Sequence, residues 1–366
     1  MYTLETNHEK ILEFLESVDI SSYGKTRNYL DGQVTHLSAY ITHGALSPVQ
    51  VMEVLKSKFK PYQLQAFIFQ MAWREYFHNV WMELNEDIFR DIKSPQENIK
   101  SYGLCKSMVD ARSGLLAVDE QLRSLIETGY MHNHARMWTA GFVCNFAQFY
   151  WLENAKWLYY HLLDGDLASN MLSWQWVAGC FSSKKYLFNQ KNLNKYSKVQ
   201  QFDTFLGREY SELFNKAMPE NIFEESKLEL KTEYPDSDEI DLSNLPKQVL
   251  LYHPWMLDRE WMKNSDSPRI LLIEPNVFDK FPISPMRMQF IKDLSKNISG
   301  IKVLVMNFSE LKSKVPNTEF VTQMYPLVKD WDCDKLPKGK LFPTISGYDS
   351  SFFKFWKKAE KLLTIK

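Results

Sequence analysis

The chain has 366 residues, 45% hydrophobic and 24% charged, with a formal net charge of −1. That length supports two domains or one large one. The near-neutral balance excludes a polybasic nucleic-acid binder, so any DNA contact must come from a local patch. Four scattered cysteines, Cys105, Cys144, Cys180 and Cys333, form no CxxC pair. A zinc ribbon and a disulfide framework are therefore not expected, and a reducing interior is. The opening MYTLETNHEKILEFLESVDI carries charges throughout, unlike a signal peptide, and no apolar run reaches the roughly 20 residues of a membrane span. The expectation is a cytoplasmic protein with no membrane contact. Aromatic content is high, at 14% with 11 Trp. It fits either a large aromatic core or redox-active indoles beside a cofactor, and only position separates the two.

Residues 1–215 read as helix almost throughout, with apolar residues at three and four spacing in LSPVQVMEVL, QLQAFIFQMAWREYFHNVW and VDEQLRSLIETG. Ser47-Pro48 is a helix start and Gly129 a helix end. Residues 216–245 form an acidic linker: EESKLELKTEYPDSDEIDLSNLP holds eight acids against two lysines, with Pro235 and Pro246. From 246 to 366 the pattern alternates. QVLLYH, RILLIE, KVLVMN and EFVTQMY are short strand-like runs, and SPMRMQFIKDLSKN and SELKSKV are helical. Alternation predicts a buried parallel sheet in a small α/β domain. It has neither GxGxxG nor GxxxxGK[ST], so a generic dinucleotide or ATP site is not supported there. The fold expected is mainly α: a helical domain followed by a smaller α/β domain.

The stretch richest in chemistry is 128–179. In a helix starting near Met131, Asn133, Arg136, Met137 and Ala140 share one face. They set an amide and a guanidinium beside a small residue, with room for a flat ligand. Asp166, Asn170 and Trp174 follow at four-residue spacing, just after Asp164 and Gly165. Carboxylates in a tryptophan-rich region need partners, and Arg136 is the natural one. A simple helix cap is the plainer explanation for an isolated DGD.

TGYMHNHARM followed by LLDGDLASNMLSWQWVAG resembles the flavin-binding core of the DNA photolyase and cryptochrome family. VTHLSAYITHGALSPVQV (34–51) resembles the family's phosphate-binding segment, and FQMAWREYFHNVW (69–81) its NELxWREFYxxL. The resemblance covers roughly residues 21–206, in the family's order. It implies an all-helical FAD-binding domain. Tyr23, Thr35, His36, Leu37 and Ser38 would hold the phosphates and ribityl chain, although Val34 and His36 depart from the usual Thr and Arg. Arg74 would balance phosphate charge. Arg136 would pair with Asp164 beside the flavin ring, with Asn133 and Gly165 alongside. Asp166 would face the pyrimidine edge or the ribityl chain. Asn170 would sit next to flavin N5, where photolyases usually have Asn.

The resemblance also implies an electron relay through Trp174 and Trp151. Its usual third position, near Asn98, is not Trp, so the relay must end elsewhere, with Trp157, Trp138 and Tyr150 as candidates. On the substrate side, Trp73 and Trp176 match the aromatics that sandwich a flipped-out pyrimidine dimer, and Met137 matches the cyclobutane-dimer enzymes. Gln70 stands in place of a dimer-binding Glu, and His134 in place of an Arg. SSKKYLFNQKNLNKYSK (182–198), with five lysines and no acid, suggests a DNA-backbone patch through Lys184, Lys185 and Lys191. The cysteines do not match the family's iron–sulfur ligands, so no metal is expected.

Family members normally begin with an α/β domain that often carries an antenna chromophore, whereas this chain starts in the helical domain. The closing FFKFWKKAEKLL resembles the tail of that α/β domain. This implies that 246–366 is its counterpart moved to the C-terminus; an unrelated docking domain is the alternative. Antenna-binding residues cannot be placed, so no antenna is inferred and its identity stays open. The leading functional expectation is light-driven splitting of cyclobutane pyrimidine dimers in DNA. A cryptochrome-like photosensor without repair is the second reading, and a flavoprotein acting on single-stranded DNA the third.

Overall fold

The computed structural model describes residues 4–214 and 217–364. The expected helical-domain boundary at 215/216 falls on two residues outside these. The helices of the first part are α1 (His8–Ser17), α2 (Tyr23–Thr26), α3 (Ser38–Thr42), α4 (Pro48–Lys58), α5 (Pro61–Leu84), α6 (Lys106–Val109), α7 (Leu116–Thr128), α8 (Asn133–Gly141), α9 (Trp151–His161), α10 (Leu167–Ala178) and α11 (Gln190–Tyr196). Short strands β1 (Leu104–Cys105) and β2 (Glu225–Ser226) pair antiparallel. Helix α10 is buried on nearly all sides and packs against α5, α8 and α9, so it is the axis of this half. Its ends are fixed chemically. The Asp166 side chain accepts from Ser169 N at 2.8 Å, and Gly179 closes the helix in the left-handed region (φ 88°).

The second part contains β3 (Gln248–Tyr252), β4 (Arg269–Ile273), α12 (Pro275–Lys280), α13 (Pro285–Ser295), β5 (Ile301–Val305), α14 (Phe308–Lys314), β6 (Glu319–Gln323), β7 (Asp334–Leu336) and α15 (Phe352–Thr364). The strands form one parallel sheet in the order β5-β4-β3-β6-β7. The chain builds outward from β3 to one side and then the other, so the topology switches between β3 and β6. The runs at 248, 269, 302 and 319 account for four strands. β7, with its exposed DKL, gives no apolar signal and was not expected.

Two expectations need correction. The acidic segment is not a free linker. Asp238 N donates to Val303 O (2.8 Å), and Val303 N and Val305 N donate to Asp238 Oδ2 and Ser237 Oγ (2.6 and 2.9 Å). It runs along the outer edge of β5 and blunts a sheet edge that would otherwise stay open. Nor does α15 stay with the sheet: it packs on α5, burying Phe352, Phe355 and Ala359.

The two parts are locked together behind α10. The ring nitrogens of His43 lie 2.6 Å from Pro254 O and 2.9 Å from Leu163 O. Ser284 N donates to Tyr160 O at 3.0 Å. Arg287, 1% exposed, donates to Tyr159 O (3.2 Å) and to Gly165 O. A side chain at Gly165 would meet the Arg287 guanidinium and force it to shift.

Candidate flavin site

The N-terminal segment, α5, α8, α10 and the end of α9 with its following turn (Leu158, Leu162, Asp164) line a cavity of about 520 Å³. From α8 come Asn133, Arg136, Met137 and Ala140, the face the spacing predicts, although His132 is the cap and the helix begins at Asn133. From α10 and its cap come Asp166, Asn170, Ser173, Trp174, Trp176 and Val177, largely a stripe at helical spacing. Helix α5 contributes Phe67, Gln70, Trp73, Arg74 and Phe77, and the N-terminal segment Tyr23, Arg27, Thr35 and Ser38. The volume is that of a pocket for a cofactor-sized molecule.

The electrostatics centre on two carboxylates. Arg136 Nη2 lies 2.9 Å from both oxygens of Asp164, and its Nε donates to Met131 O at 3.0 Å. Burial pushes the Asp164 carboxyl up, but the Arg136 charge and the Ser38 hydroxyl outweigh it, so it lies below the usual value. Asp166 Oδ2 takes His78 Nε2 at 2.7 Å and Arg74 Nη2 at 3.2 Å. Burial again opposes ionisation, and Arg74 with the His78 hydrogen bond holds the Asp166 carboxyl well below its usual value. Burial lowers His78 in turn, so at neutral pH it is a neutral donor to Asp166. Arg74 is thus committed to Asp166, and Asp166 is both an ion-pair partner and a helix cap. Asn170 Nδ2 donates to Ala155 O at 2.8 Å, while its Oδ1 accepts nothing from the described residues.

Several expected residues lie off the cavity lining. His134 turns inward: its Nδ1 is 2.7 Å from Asn28 O, and its ring packs on Trp138 and Tyr196. His36, at φ 53°, packs on Tyr130, and Leu37 is core. Gly165 gives its carbonyl to Arg287. Lys185 and Lys191 pair with Glu97 and Glu209, acids brought from outside the lysine-rich stretch, and Lys184 is also absent from the lining. Trp73 lines the cavity, but its ring stacks on Phe352 at 3.7 Å and 8°. One face of the expected base sandwich is therefore taken by α15.

Trp151 lies beyond the cavity wall, fully buried, with Nε1 donating to Asp91 Oδ1 at 2.7 Å. Tyr150 Oη donates to the same oxygen at 3.1 Å, and its ring is 5.8 Å from Trp151. Tyr102, 68% exposed, is 5.2 Å from Tyr150. An aromatic ladder therefore runs from Trp151 to the surface. By contrast, Trp138 and Trp157 are core residues, packed on His134 and His161.

Sequence reasoning missed Arg27, Phe67, His78, Arg287 and Phe352. Arg27 and His78 each lie four residues from a recognised position, Tyr23 and Arg74, and helical spacing could have found them. Arg287 and Phe352 had no local signal. The lining fits a molecule with a flat ring and a pyrophosphate. Arg27 makes no ion pair among the described residues, hydroxyls stand at Thr35 and Ser38, and Phe67, Trp73 and Trp174 supply aromatic walls.

Residues 67–239 match a family model described as the FAD binding domain of DNA photolyase. A deoxyribodipyrimidine photo-lyase of Streptomyces griseus is 32% identical over 164 residues, covering 44% of this chain and 35% of that protein. A cryptochrome DASH of Danio rerio is 29% identical over 180 residues, covering 45% and 34%. The chain thus spans about a third of the length of these relatives. Among solved structures, a Synechocystis cryptochrome aligns with a TM-score of 0.47 at 22% identity, covering 53% of this chain and 44% of that one.

Proposed function

Because the chain belongs to the DNA photolyase and cryptochrome family and carries its FAD-binding domain, we propose that it is a light-driven DNA repair enzyme that splits cyclobutane pyrimidine dimers. The observation that carries this reading is the cavity itself. Ionised Asp164 and Asp166 and neutral Asn170 share one wall, with Trp176, Met137 and the inner side of Trp73 around it. FAD, when bound, supplies the light absorption and the one-electron chemistry.

The protein's own contributions are positional and electrostatic. Arg27, Thr35 and Ser38 would hold the pyrophosphate and ribityl chain. The Asn170 carbonyl oxygen, left free because Nδ2 is anchored to Ala155 O, is an acceptor for a protonated ring nitrogen and adds no charge. That suits a reduced flavin. Arg136 keeps Asp164 ionised on the wall where the ring would lie, and Arg74 with His78 does the same for Asp166. Trp176 would stack a flipped-out base, an interaction worth about 1–3 kcal/mol. Trp174, Trp151, Tyr150 and Tyr102 would carry electrons inward from solvent. Asp91 is placed to take the protons that Trp151 and Tyr150 lose on oxidation.

A photosensor without repair remains the second reading, favoured by Gln70 in place of a carboxylate and by Phe352 on Trp73. Affinity separates them. Fluorescence anisotropy on the flavin-loaded protein is expected to show tighter binding of dimer-containing than of undamaged single strands, with the difference lost in Trp176→Ala. Equal affinity for both strands would favour the sensor.

A further inference from the structure

The C-terminal ends of β6 and β7 meet helix α5 over a second cavity of about 210 Å³. It shares only Ile41, Met71 and Arg74 with the larger one. Its place is the one where parallel α/β sheets take ligands, beyond the carboxyl ends of the strands near the topological switch. Tyr325 and Met324 come from the end of β6, Lys338 and Lys340 from the end of β7, and Asn79 and Met82 from α5.

The polar groups here are left incomplete by the protein. Asn79 is 4% exposed; its Oδ1 accepts from Lys340 Nζ at 3.0 Å, and its Nδ2 has no partner. Tyr325 is 2% exposed, and its hydroxyl has no partner. The half-buried Lys338 makes one hydrogen bond, to Trp255 O at 3.1 Å. Buried donors without acceptors are costly, and a desolvated ammonium without an anion more so. Water could satisfy the amide and the hydroxyl, but it would not answer the charge. Neither Lys338 nor Lys340 forms an ion pair among the described residues: Glu75 acts on Lys340 while its own oxygens accept Leu341 N and Phe342 N at 2.9 and 3.1 Å, and Asp166 and Asp258 act on Lys338 from beyond ion-pair distance, opposed by Arg74. Arg74 and His78 are spent on Asp166. Both ammonium groups therefore lack a direct anionic partner among the described residues.

We propose that this cavity binds a small organic oxyanion. Its anionic group would sit between Lys338, Lys340, Asn79 Nδ2 and Tyr325 Oη, and its compact apolar body against Met82, Met324 and Pro326. The site is separate from the flavin cavity but touches it through Arg74. Desolvation pulls Lys338 down to about 8, so the charged form that recognises the anion is lost above that pH.

Isothermal titration of the purified full-length, flavin-loaded protein with phenyl phosphate, benzoate and inorganic phosphate tests this. Saturable one-to-one binding is expected for phenyl phosphate or benzoate, tighter than for inorganic phosphate and weaker above pH 8. Phenyl phosphate against benzoate decides which oxyanion the site prefers. Lys338→Met is expected to weaken binding about tenfold or more, as loss of a charged hydrogen bond does, with the flavin spectrum unchanged. If that variant does not fold, the exposed Lys340→Gln serves, with a severalfold loss expected. No saturable binding of any of the three, or undiminished binding in the folded variants, would overturn the proposal. Neither result bears on whether the larger cavity repairs DNA.

Discussion

Asp164 and Asp166 stand two positions apart, and each is held ionised by a different cation. Replacing Arg136 by Ala would strand Asp164 in a buried site, a change that typically costs about 3–5 kcal/mol. Urea unfolding should show that loss, and Asp164→Asn added to it should recover part of it. The pH dependence has a defined sign. Both folded-state values lie below the ordinary aspartate value of 3.8, so their contribution is complete above that pH and is lost as pH falls through the lower folded values. A melting temperature that held through neutral and mildly acid pH and dropped only below about pH 4 would agree; a drop near pH 6 would not. The Arg136–Asp164 pair was legible in the sequence because Arg136 is the natural cation for one of the two carboxylates and the family resemblance implies that the one is Asp164. The Asp166–His78 bond was not, because it joins residues 88 apart in the chain and depends on how α5 crosses α10.

Among the elements, α9 and α15 carry the clearest consequences. The start of α9 places Trp151 and Tyr150 on one carboxylate and leads to Tyr102. Photoreduction of the bound flavin is expected to be nearly abolished in Trp174→Phe and severalfold slower in Tyr150→Phe and Tyr102→Phe, followed by absorbance under continuous light with an external thiol. Undiminished rates in the tyrosine variants would remove them from the route. The family resemblance implies a relay through Trp174 and Trp151 with Tyr150 among three candidate exits, but it does not reach Tyr102, which lies in a loop that no periodicity describes. Helix α15 has an apolar stripe at Phe352, Phe355 and Ala359, which reads plainly as an amphipathic helix. Its partner does not: the resemblance to the tail of the family's α/β domain implied a place with the sheet, whereas its Phe352 finds Phe69 and Trp73 on α5. Phe352→Ala should cost about 3–5 kcal/mol and shift the tryptophan emission of Trp73.

On the scale of the whole molecule, the second domain is a buttress for the flavin cavity. Arg287 reaches from α13 to the carbonyls of Gly165 and Tyr159 beneath the turn that carries both aspartates. Arg287→Met would abandon those carbonyls at about 1–3 kcal/mol each. It should loosen flavin retention although residue 287 lies outside the cavity lining, a result readable by gel filtration followed by flavin absorbance. The alternation of strands and helices announced the parallel sheet. It could not announce the docking, because a buried arginine in SPMRMQF looks like any solvated helix charge until its partner is folded beside it. Light-driven repair is the reaction proposed for this cavity, which the helical part lines and the second domain braces. It is tested most directly by counting cyclobutane dimers in an oligonucleotide before and after illumination with the photoreduced, FAD-loaded protein. Loss of dimers is expected in the light, none in the dark, and little in Trp176→Ala. Dimers that survive illumination of the fully reduced protein, in both single and double strands, would contradict it.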